Sequence, residues 1–240
     1  MVVPALAACA PAVPASHDTA PASLAITPVR PIAELLPQAL AATPPVEHGR
    51  FRPPELVELV TLDPTIHLDI RYASSNNFLG TPLYQQARAF LQRPAAEALV
   101  RVQQSLAAEG YGLLVHDGYR PWYVTRLFWD ATPPDQHIFV ADPAEGSRHN
   151  RGCAVDLTLY ERASGRAVEM PSVYDEPSER AYANYPGGTA EQRRLRDLLR
   201  RHMEAEGFTV YEFEWWHFDY RDWNSYAILN TRFEDLGAGK

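Results

Sequence analysis

The aromatic residues are confined to one part of this chain, and that division limits where a folded core can form. The first 45 residues contain 13 Ala and 9 Pro, whereas all 26 Phe, Trp and Tyr residues lie at Phe51 or beyond. A segment of such composition buries too little apolar surface to offset the entropy lost on ordering. We therefore predict a disordered leader and Ala/Pro-rich linker over residues 1–45. Residues 46–240 are long enough to form one domain with a sizeable core.

The leader contains a short pattern that suggests export. Leu6-Ala7-Ala8-Cys9 resembles the lipobox of bacterial lipoproteins, in which Cys9 would carry a lipid anchor. This pattern predicts a periplasmic or membrane-anchored protein. The alternative is an ordinary Ala/Pro tail on a cytoplasmic protein, because the eight residues before Cys9 lack the positive region of a signal peptide. No run approaches the roughly 18 to 20 apolar residues of a transmembrane helix, so we predict no spanning segment.

The charge and cysteine content exclude two further classes of protein. Thirty acidic residues against 22 Lys plus Arg give a net charge of −8. This charge repels a phosphate backbone, so we predict no nucleic-acid partner. Two cysteines are too few for a disulfide framework, and stability must come from a packed core.

Apolar periodicity along the body predicts a mixture of strands and helices. Alternation of apolar and polar residues is typical of half-buried strands, and apolar stripes at three- and four-residue spacing indicate helices. Strands are predicted over 66–72, 111–117, 153–159 and 208–220, with helices over 94–109, 122–129 and 190–206. Thr189 and Gln192 form a capping box that begins the last helix.

Two short segments carry residue types that bind metals. The first, 147–156, contains His149 and Asp156, and the second is Glu214-Trp-Trp-His217. Catalytic zinc takes three protein ligands from imidazole nitrogen and carboxylate oxygen and keeps a fourth position for water. His149, Asp156 and His217 fit this requirement. Glu214 could serve as the base for the attacking water and as the acid for the leaving amine.

Each segment also has a purely structural interpretation. A loop His followed by a strand Asp is common by chance, and the EWWH residues could form core around a buried imidazole. Geometry adds a condition, because residues three apart lie on opposite faces of a regular strand. Glu214 and His217 can therefore reach one zinc only if the strand bulges or ends there.

The pattern SxHxxGxAxD, followed some sixty residues later by EWWH, resembles the zinc D-alanyl-D-alanine dipeptidases of the VanX type, relatives of peptidoglycan D,D-carboxypeptidases. The resemblance extends from about residue 63 to 226 and includes DIRY at 69–72, NFLG at 77–80 and DGYRP at 117–121. It implies a single α+β domain with a central, mainly antiparallel sheet flanked by helices. One Zn²⁺ per chain would lie on that sheet.

Residue by residue, the resemblance assigns the chemistry. It implies that His149, Asp156 and His217 are the zinc ligands and that Glu214 is the catalytic base and acid. Arg120, within DGYRP, would steady the tetrahedral intermediate, since a guanidinium is always charged and offers a fork of donors to an oxyanion. The alternative for Arg120 is a surface arginine that caps a turn.

Three further residues are implied to bind substrate. Asp175 would receive the free ammonium of the dipeptide, Ser147 would lie near its carboxylate end, and Tyr72 would lie near the pocket. For Ser147 and Tyr72 a structural role is the alternative. Cys153 is interpreted as a small buried hydrophobe and not as a fourth ligand, while His116 and His137 are either neighbours of the ligands or coincidental.

The expected activity is therefore hydrolysis of the small dipeptide D-Ala-D-Ala to two D-alanines in peptidoglycan metabolism. One alternative is a D,D-carboxypeptidase or L,D-endopeptidase, which would cut a long acylated peptide. Another is a non-catalytic cell-wall-binding lipoprotein that keeps the fold and the zinc. Asp175 favours the dipeptidase over the first alternative. Glu214 and Arg120 favour an enzyme over the second, because binding alone requires neither.

Overall fold

The computed structural model describes residues 24–237, so Cys9 and the predicted lipobox lie outside the described residues. The strands are β1 (Leu56–Glu58), β2 (His67–Leu68), β3 (Phe90–Gln92), β4 (Tyr111–Asp117), β5 (Ala154–Glu161), β6 (Phe208–Tyr211) and β7 (Glu214–Tyr220). β1 and β3 form a small antiparallel sheet, and the other five form a sheet of order β2-β4-β5-β7-β6. Only the β2–β4 pair of the larger sheet is parallel.

The helices of the described region are α1 (Ile32–Ala41), α2 (Leu59–Leu62), α3 (Arg93–Ala107), α4 (Trp122–Ala131) and α5 (Ala190–Ala205). α3 packs against β4 and α5 packs against β6, which covers one face of the larger sheet. α5 begins at the predicted capping box, where Gln192 N–H donates to Thr189 Oγ1 at 3.1 Å and Thr189 N–H donates to Gln192 Oε1 at 2.8 Å. The predicted single α+β domain with a mainly antiparallel sheet is confirmed.

The helices of residues 24–237 do not include one that is long and apolar enough to cross a bilayer. The longest, α5, carries charged residues along its outer face and buries Leu195, Leu198, Leu199 and Met203 against the sheet. This amphipathic pattern is typical of a helix that covers a core.

The strand predicted over 66–72 is much shorter in the structure. β2 spans only two residues, and the chain then enters a 3₁₀ turn at Arg71–Ala73. Ile66, Ile70 and Tyr72 are nevertheless buried. The backbone leaves the sheet because the carbonyl of Tyr72 accepts hydrogen bonds from Leu83 and Tyr84 N–H, both at 2.8 Å. Alternating burial here reflects side-chain packing without a continuous strand ladder.

The predicted disordered linker up to residue 45 is wrong for the described residues 24–45. α1 lies in that range and packs against α4, with Leu35 and Ala39 buried. Its apolar residues Ile32, Leu35, Leu36 and Ala39 have the spacing of one helical face. An aromatic-free segment is ordered here because it buries this face on a helix of the main body, which local composition does not reveal.

Candidate active site

The three predicted metal ligands meet on the central sheet. His149 lies in a 3₁₀ turn, Arg148–Arg151, just before β5, while Asp156 of β5 pairs directly with His217 of β7. His149 Nε2 is 3.1 Å from His217 Nδ1 and 3.4 Å from Asp156 Oδ1, and His217 Nδ1 is 3.0 Å from Asp156 Oδ1. Among the described residues this is the one cluster of His, Cys, Asp and Glu able to hold a metal ion.

The spacing and the donor types fit zinc. A tetrahedral site with bonds of about 2.0 to 2.1 Å has ligand atoms roughly 3.3 Å apart, which is close to the three distances observed. The remaining nitrogen of each imidazole is anchored elsewhere, since His149 Nδ1 lies 2.7 Å from Gly118 O and His217 Nε2 lies 3.1 Å from Asp219 Oδ1. Such partners orient the ring and direct the other nitrogen at the metal.

Electrostatic interactions among the clustered side chains also favour this arrangement of donors. Burial favours the neutral form of Asp156, but His149 and His217 outweigh it and hold the pKa of that carboxyl well below its usual range. Burial lowers the pKa of His217, yet its hydrogen bonds to Asp156 and Asp219 raise the pKa to about 10. A metal ion held by His217 would have to displace a proton from this imidazole.

Sequence reasoning missed three residues that hold the ligands. Asp219 anchors His217, Tyr174 donates from its hydroxyl to Asp156 Oδ2 at 2.9 Å, and the carbonyl of Gly118 accepts from His149. Asp219 lies two residues after His217 on the same strand face, a spacing that could have revealed it. Gly118 is required for steric reasons, because a Cβ there would lie 2.9 Å from the carbonyl oxygen of Phe90.

Glu214 and His217 can approach one point only if their strand bulges or ends there, and the strand pairing is indeed irregular at this place. The β6–β7 register passes from Val210–Phe218 directly to Tyr211–Glu214. This bulge brings the Glu214 carboxylate to 3.8 Å from His217 Nδ1. Burial and the charge of Asp156 raise the pKa of Glu214, although His217 opposes them. A carboxyl with a raised pKa is suited to accept and return a proton.

Arg120 is buried and held in one orientation. Its Nε and Nη2 both donate to Asp117 Oδ2, at 3.0 and 2.8 Å. Asp117 in turn accepts from the hydroxyl of Tyr84 at 2.9 Å. The guanidinium lies over the rings of Tyr72 and Phe128, with its central carbon 5.2 and 4.9 Å from their centroids. Arg120 is therefore not a surface arginine that caps a turn.

All eight predicted site residues of the described region line one open cavity of about 810 Å³. They are Tyr72, Arg120, Ser147, His149, Asp156, Asp175, Glu214 and His217. Ile138 and Phe139, from the 131–146 stretch that shows no motif, form part of the exposed apolar rim. The cavity is large enough for a dipeptide and lies directly over the three clustered donors.

Asp175 and Tyr72 contact each other in the wall of this cavity. The Tyr72 hydroxyl donates to Asp175 Oδ2 at 3.4 Å. Burial and the negative charges of Asp156 and Glu214 raise the pKa of Asp175 well above its usual range. A cation bound beside Asp175 would relieve this repulsion. Ser147 also has a structural contact, because its hydroxyl accepts from His149 N–H and caps the turn that carries this ligand.

Three other residues noted in the sequence lie outside the metal cluster. Cys153 is fully buried, and burial raises the pKa of its thiol to about 12, which agrees with a packing role. His116 Nδ1 contacts the carbonyl of Asp69 at 3.3 Å. His137 stacks on Trp129 with ring centroids 3.7 Å apart.

Comparison with known proteins identifies the family. The model of the Peptidase_M15 family, described as D-ala-D-ala dipeptidase, matches residues 52–236. A D-alanyl-D-alanine dipeptidase of Escherichia coli K12 is 36% identical over 179 residues, covering 75% of this chain and 91% of the relative. Proteins of the same name from Enterococcus faecium and Enterococcus faecalis are 35% and 38% identical, covering 67% and 65% of this chain and 90% and 88% of their own lengths. This chain therefore belongs to the Peptidase_M15 family of D-Ala-D-Ala dipeptidases, as the resemblance of its motifs implied.

Proposed function

We propose that this protein is a zinc dipeptidase that hydrolyses free D-Ala-D-Ala to two D-alanines in peptidoglycan metabolism. The observation that carries the proposal is the placement of three ligand atoms within 3.0 to 3.4 Å of one another, beside Glu214 and inside a dipeptide-sized cavity. The E. coli and enterococcal relatives, which match most of the folded region, are named for this activity.

Each group of residues in the cavity has a separate role in the proposed reaction. Zinc bound by His149, Asp156 and His217 would supply Lewis acidity and lower the pKa of water. Glu214 takes a proton from the attacking water and delivers it to the nitrogen of the leaving amine. Arg120 donates to the developing oxyanion. Its hydrogen bonds to Asp117 already orient the guanidinium, so no reorganisation is needed as the charge forms.

Substrate orientation is assigned to three polar residues that line the cavity. Asp175 pairs with the free ammonium of the dipeptide, in a region where Asp156 and Glu214 already favour a cation. Tyr72 supports the Asp175 carboxylate through its hydroxyl. Ser147, which also lines the cavity, would lie near the carboxylate end of the dipeptide. A peptide acylated at its amine offers Asp175 no positive charge, which supports the dipeptidase over a carboxypeptidase or endopeptidase.

A non-catalytic wall-binding protein is less well supported by the same geometry. Such a protein would need neither a carboxylate 3.8 Å from a metal ligand nor a buried, braced arginine facing the cavity. Burying a charged group is costly, so a chain without catalytic use for Arg120 has no reason to hold it there.

The location of the enzyme is a further part of the proposal. We propose that Cys9 is lipidated and holds the enzyme at a membrane surface in the periplasm. The fifteen residue steps from Cys9 to Leu24 span at most roughly 50 Å, so the catalytic domain would work close to that surface. One acyl chain binds only marginally, and stable anchoring requires more than one.

A side-by-side assay tests the activity. The zinc-loaded protein is given D-Ala-D-Ala, L-Ala-L-Ala, N-acetyl-D-Ala-D-Ala and a muramyl pentapeptide, and released D-Ala or L-Ala is measured. We expect rapid cleavage of D-Ala-D-Ala alone. Equal cleavage of the acetylated dipeptide or the pentapeptide would favour the carboxypeptidase. Stoichiometric zinc with no cleavage of any peptide would favour the non-catalytic protein.

A further inference from the structure

Residues that precede the family match reach the substrate cavity. Segment 24–31, which we call the N-terminal strap, lies outside the matched residues 52–236. Leu24 lines the cavity. Its backbone N–H donates a hydrogen bond of 2.9 Å to the carbonyl oxygen of Asp175. The strap therefore contacts the residue to which we assign binding of the substrate ammonium.

The strap is attached to the domain along its length. Ile26 is buried, and its N–H donates to the carbonyl of Phe78 at 2.7 Å. Val29 N–H donates to the carbonyl of Ala131 at 2.9 Å, and α1 then packs on α4. Phe78 lines the cavity, and so does Phe128, which belongs to α4. The attachment points thus belong to the elements that form the cavity wall.

Asp175 has a backbone conformation that requires support. Its φ is 57°, and it is the one non-glycine residue of the described chain with positive φ. Left-handed φ is uncommon for a non-glycine residue, and although Asp tolerates it better than most, contacts with the surroundings stabilise it. Leu24 holds the carbonyl of Asp175, and the Tyr72 hydroxyl contacts its carboxylate at a longer 3.4 Å.

Loss of the Leu24 hydrogen bond bears directly on the Asp175 side chain. The carbonyl that Leu24 holds and the carboxylate that faces the cavity belong to one residue with a left-handed φ. Released from Leu24, the backbone at Asp175 can relax and its carboxylate can turn towards water. The ammonium end of the cavity would then lose its counter-charge.

We propose that the N-terminal strap is a specificity element in which Leu24 positions Asp175 for the free ammonium of the dipeptide. This inference rests on the proposed dipeptidase activity and extends it to a segment outside the family match. Leu24 acts through Asp175 and takes no part in bond cleavage. Loss of its hydrogen bond should therefore change substrate affinity and leave the catalytic step alone.

Proline substitution tests the proposal in the full-length, zinc-loaded protein. Leu24→Pro removes the donating N–H. One hydrogen bond corresponds to roughly a 3- to 10-fold change in affinity. We expect KM for D-Ala-D-Ala to rise by about that factor, with kcat within about twofold of wild type. The preference for D-Ala-D-Ala over N-acetyl-D-Ala-D-Ala should fall by a similar factor.

A second proline variant serves as the matched control. Thr27→Pro places the same residue in the strap at an exposed position whose N–H has no acceptor within residues 24–237. We expect wild-type KM and kcat for Thr27→Pro, and thermal unfolding should show both proline variants folded.

The outcomes separate this inference from the proposed activity. If wild type cleaves D-Ala-D-Ala and Leu24→Pro has the same KM as Thr27→Pro, the strap proposal is overturned and the dipeptidase stands. A loss confined to kcat in Leu24→Pro also overturns it, since a positioning role for the ammonium site predicts a change in KM. A wild type that binds zinc but does not cleave D-Ala-D-Ala overturns the activity itself and the strap inference with it.

Discussion

At the scale of single residues, each imidazole of the proposed metal site makes two contacts. One nitrogen of His149 and of His217 faces Asp156, and the other is held by Gly118 or Asp219. Because the second contact fixes which nitrogen carries the proton, both rings present a lone pair to one point. Metal affinity should therefore depend on all three clustered residues.

Removal of a ligand tests the metal centre. The purified protein should contain about one zinc per chain, whereas His149→Ala and His217→Ala should lose both the metal and the activity, because two donors bind zinc far more weakly than three. Metal content by mass spectrometry measures this directly. His67→Ala, which alters an exposed histidine outside the cluster, is the control and should keep its zinc. Full occupancy in both ligand variants would exclude the proposed site.

Glu214 should affect the rate and not the fold. A general acid or base contributes about 10² to 10⁴ in rate, so Glu214→Gln should lose at least 100-fold in kcat while zinc content and melting temperature remain near wild type. Glu212→Gln changes an exposed carboxyl two residues away and should have no effect. Near-normal turnover of Glu214→Gln would mean that the EWWH segment is structural.

Asp175 should govern recognition of the amine. Asp175→Asn removes the charge and keeps the size, and a hydrogen bond to a charged group corresponds to roughly 10- to 100-fold in affinity. We expect KM for D-Ala-D-Ala to rise by about this factor. The ratio of kcat/KM for the free dipeptide to that for the acetylated dipeptide should fall. Glu179→Gln, an exposed carboxyl at the same cavity, is the control. Unchanged selectivity in Asp175→Asn would contradict the assignment.

At the scale of secondary-structure elements, the β6–β7 bulge and helix α1 most affect how the residues of the cavity are positioned. The β6–β7 bulge turns Glu214 and His217 to one side of the sheet, which a regular strand forbids. α1 adds apolar contacts to α4, the helix that carries Phe128 under Arg120. Both features connect the sheet or its covering helices to the residues proposed to act in catalysis.

Stability measurements test whether α1 belongs to the folded unit. Leu35 is 3% exposed, and truncating a buried leucine to alanine typically costs about 2 to 5 kcal/mol. Leu35→Ala should lower the free energy of unfolding by an amount in this range, measured by urea denaturation. Glu34→Ala alters an exposed neighbour and should change it by less than about 0.5 kcal/mol. Equal stability of the two variants would mean that α1 does not contribute to the core.

At the scale of the whole molecule, the leader and the domain are joined through the strap, so location and activity can be tested separately. Protein expressed in a bacterial host from its native start, with any residues that precede this sequence, should sediment with membranes, because lipidation at Cys9 would insert acyl chains. Cys9→Ser should move it to the soluble fraction and keep dipeptidase activity. Cys153→Ala, at the other cysteine, should remain with the membranes. A soluble wild type would show that the lipobox pattern is coincidental.

The proposed metal ligands were identified in the sequence through the resemblance of several motifs in one order. The spacings HxxxxxxD and ExxH supply suitable donor types, but either segment alone also allows a structural interpretation. The capping box at Thr189 and the strand 111–117 were predicted correctly, since hydrogen-bonding type and apolar period act over a few residues.

The tertiary structure alone decided which distant groups hold those residues in place. His149 is oriented by Gly118, Asp156 by Tyr174 and Asp175 by Leu24, and no local pattern connects the members of these pairs. Tertiary contacts also explain why residues 24–45 are folded, because the apolar face of α1 is stabilised by a surface of α4. Propensity and periodicity describe a segment by itself, whereas burial and hydrogen bonding depend on the surface that the rest of the chain presents to it.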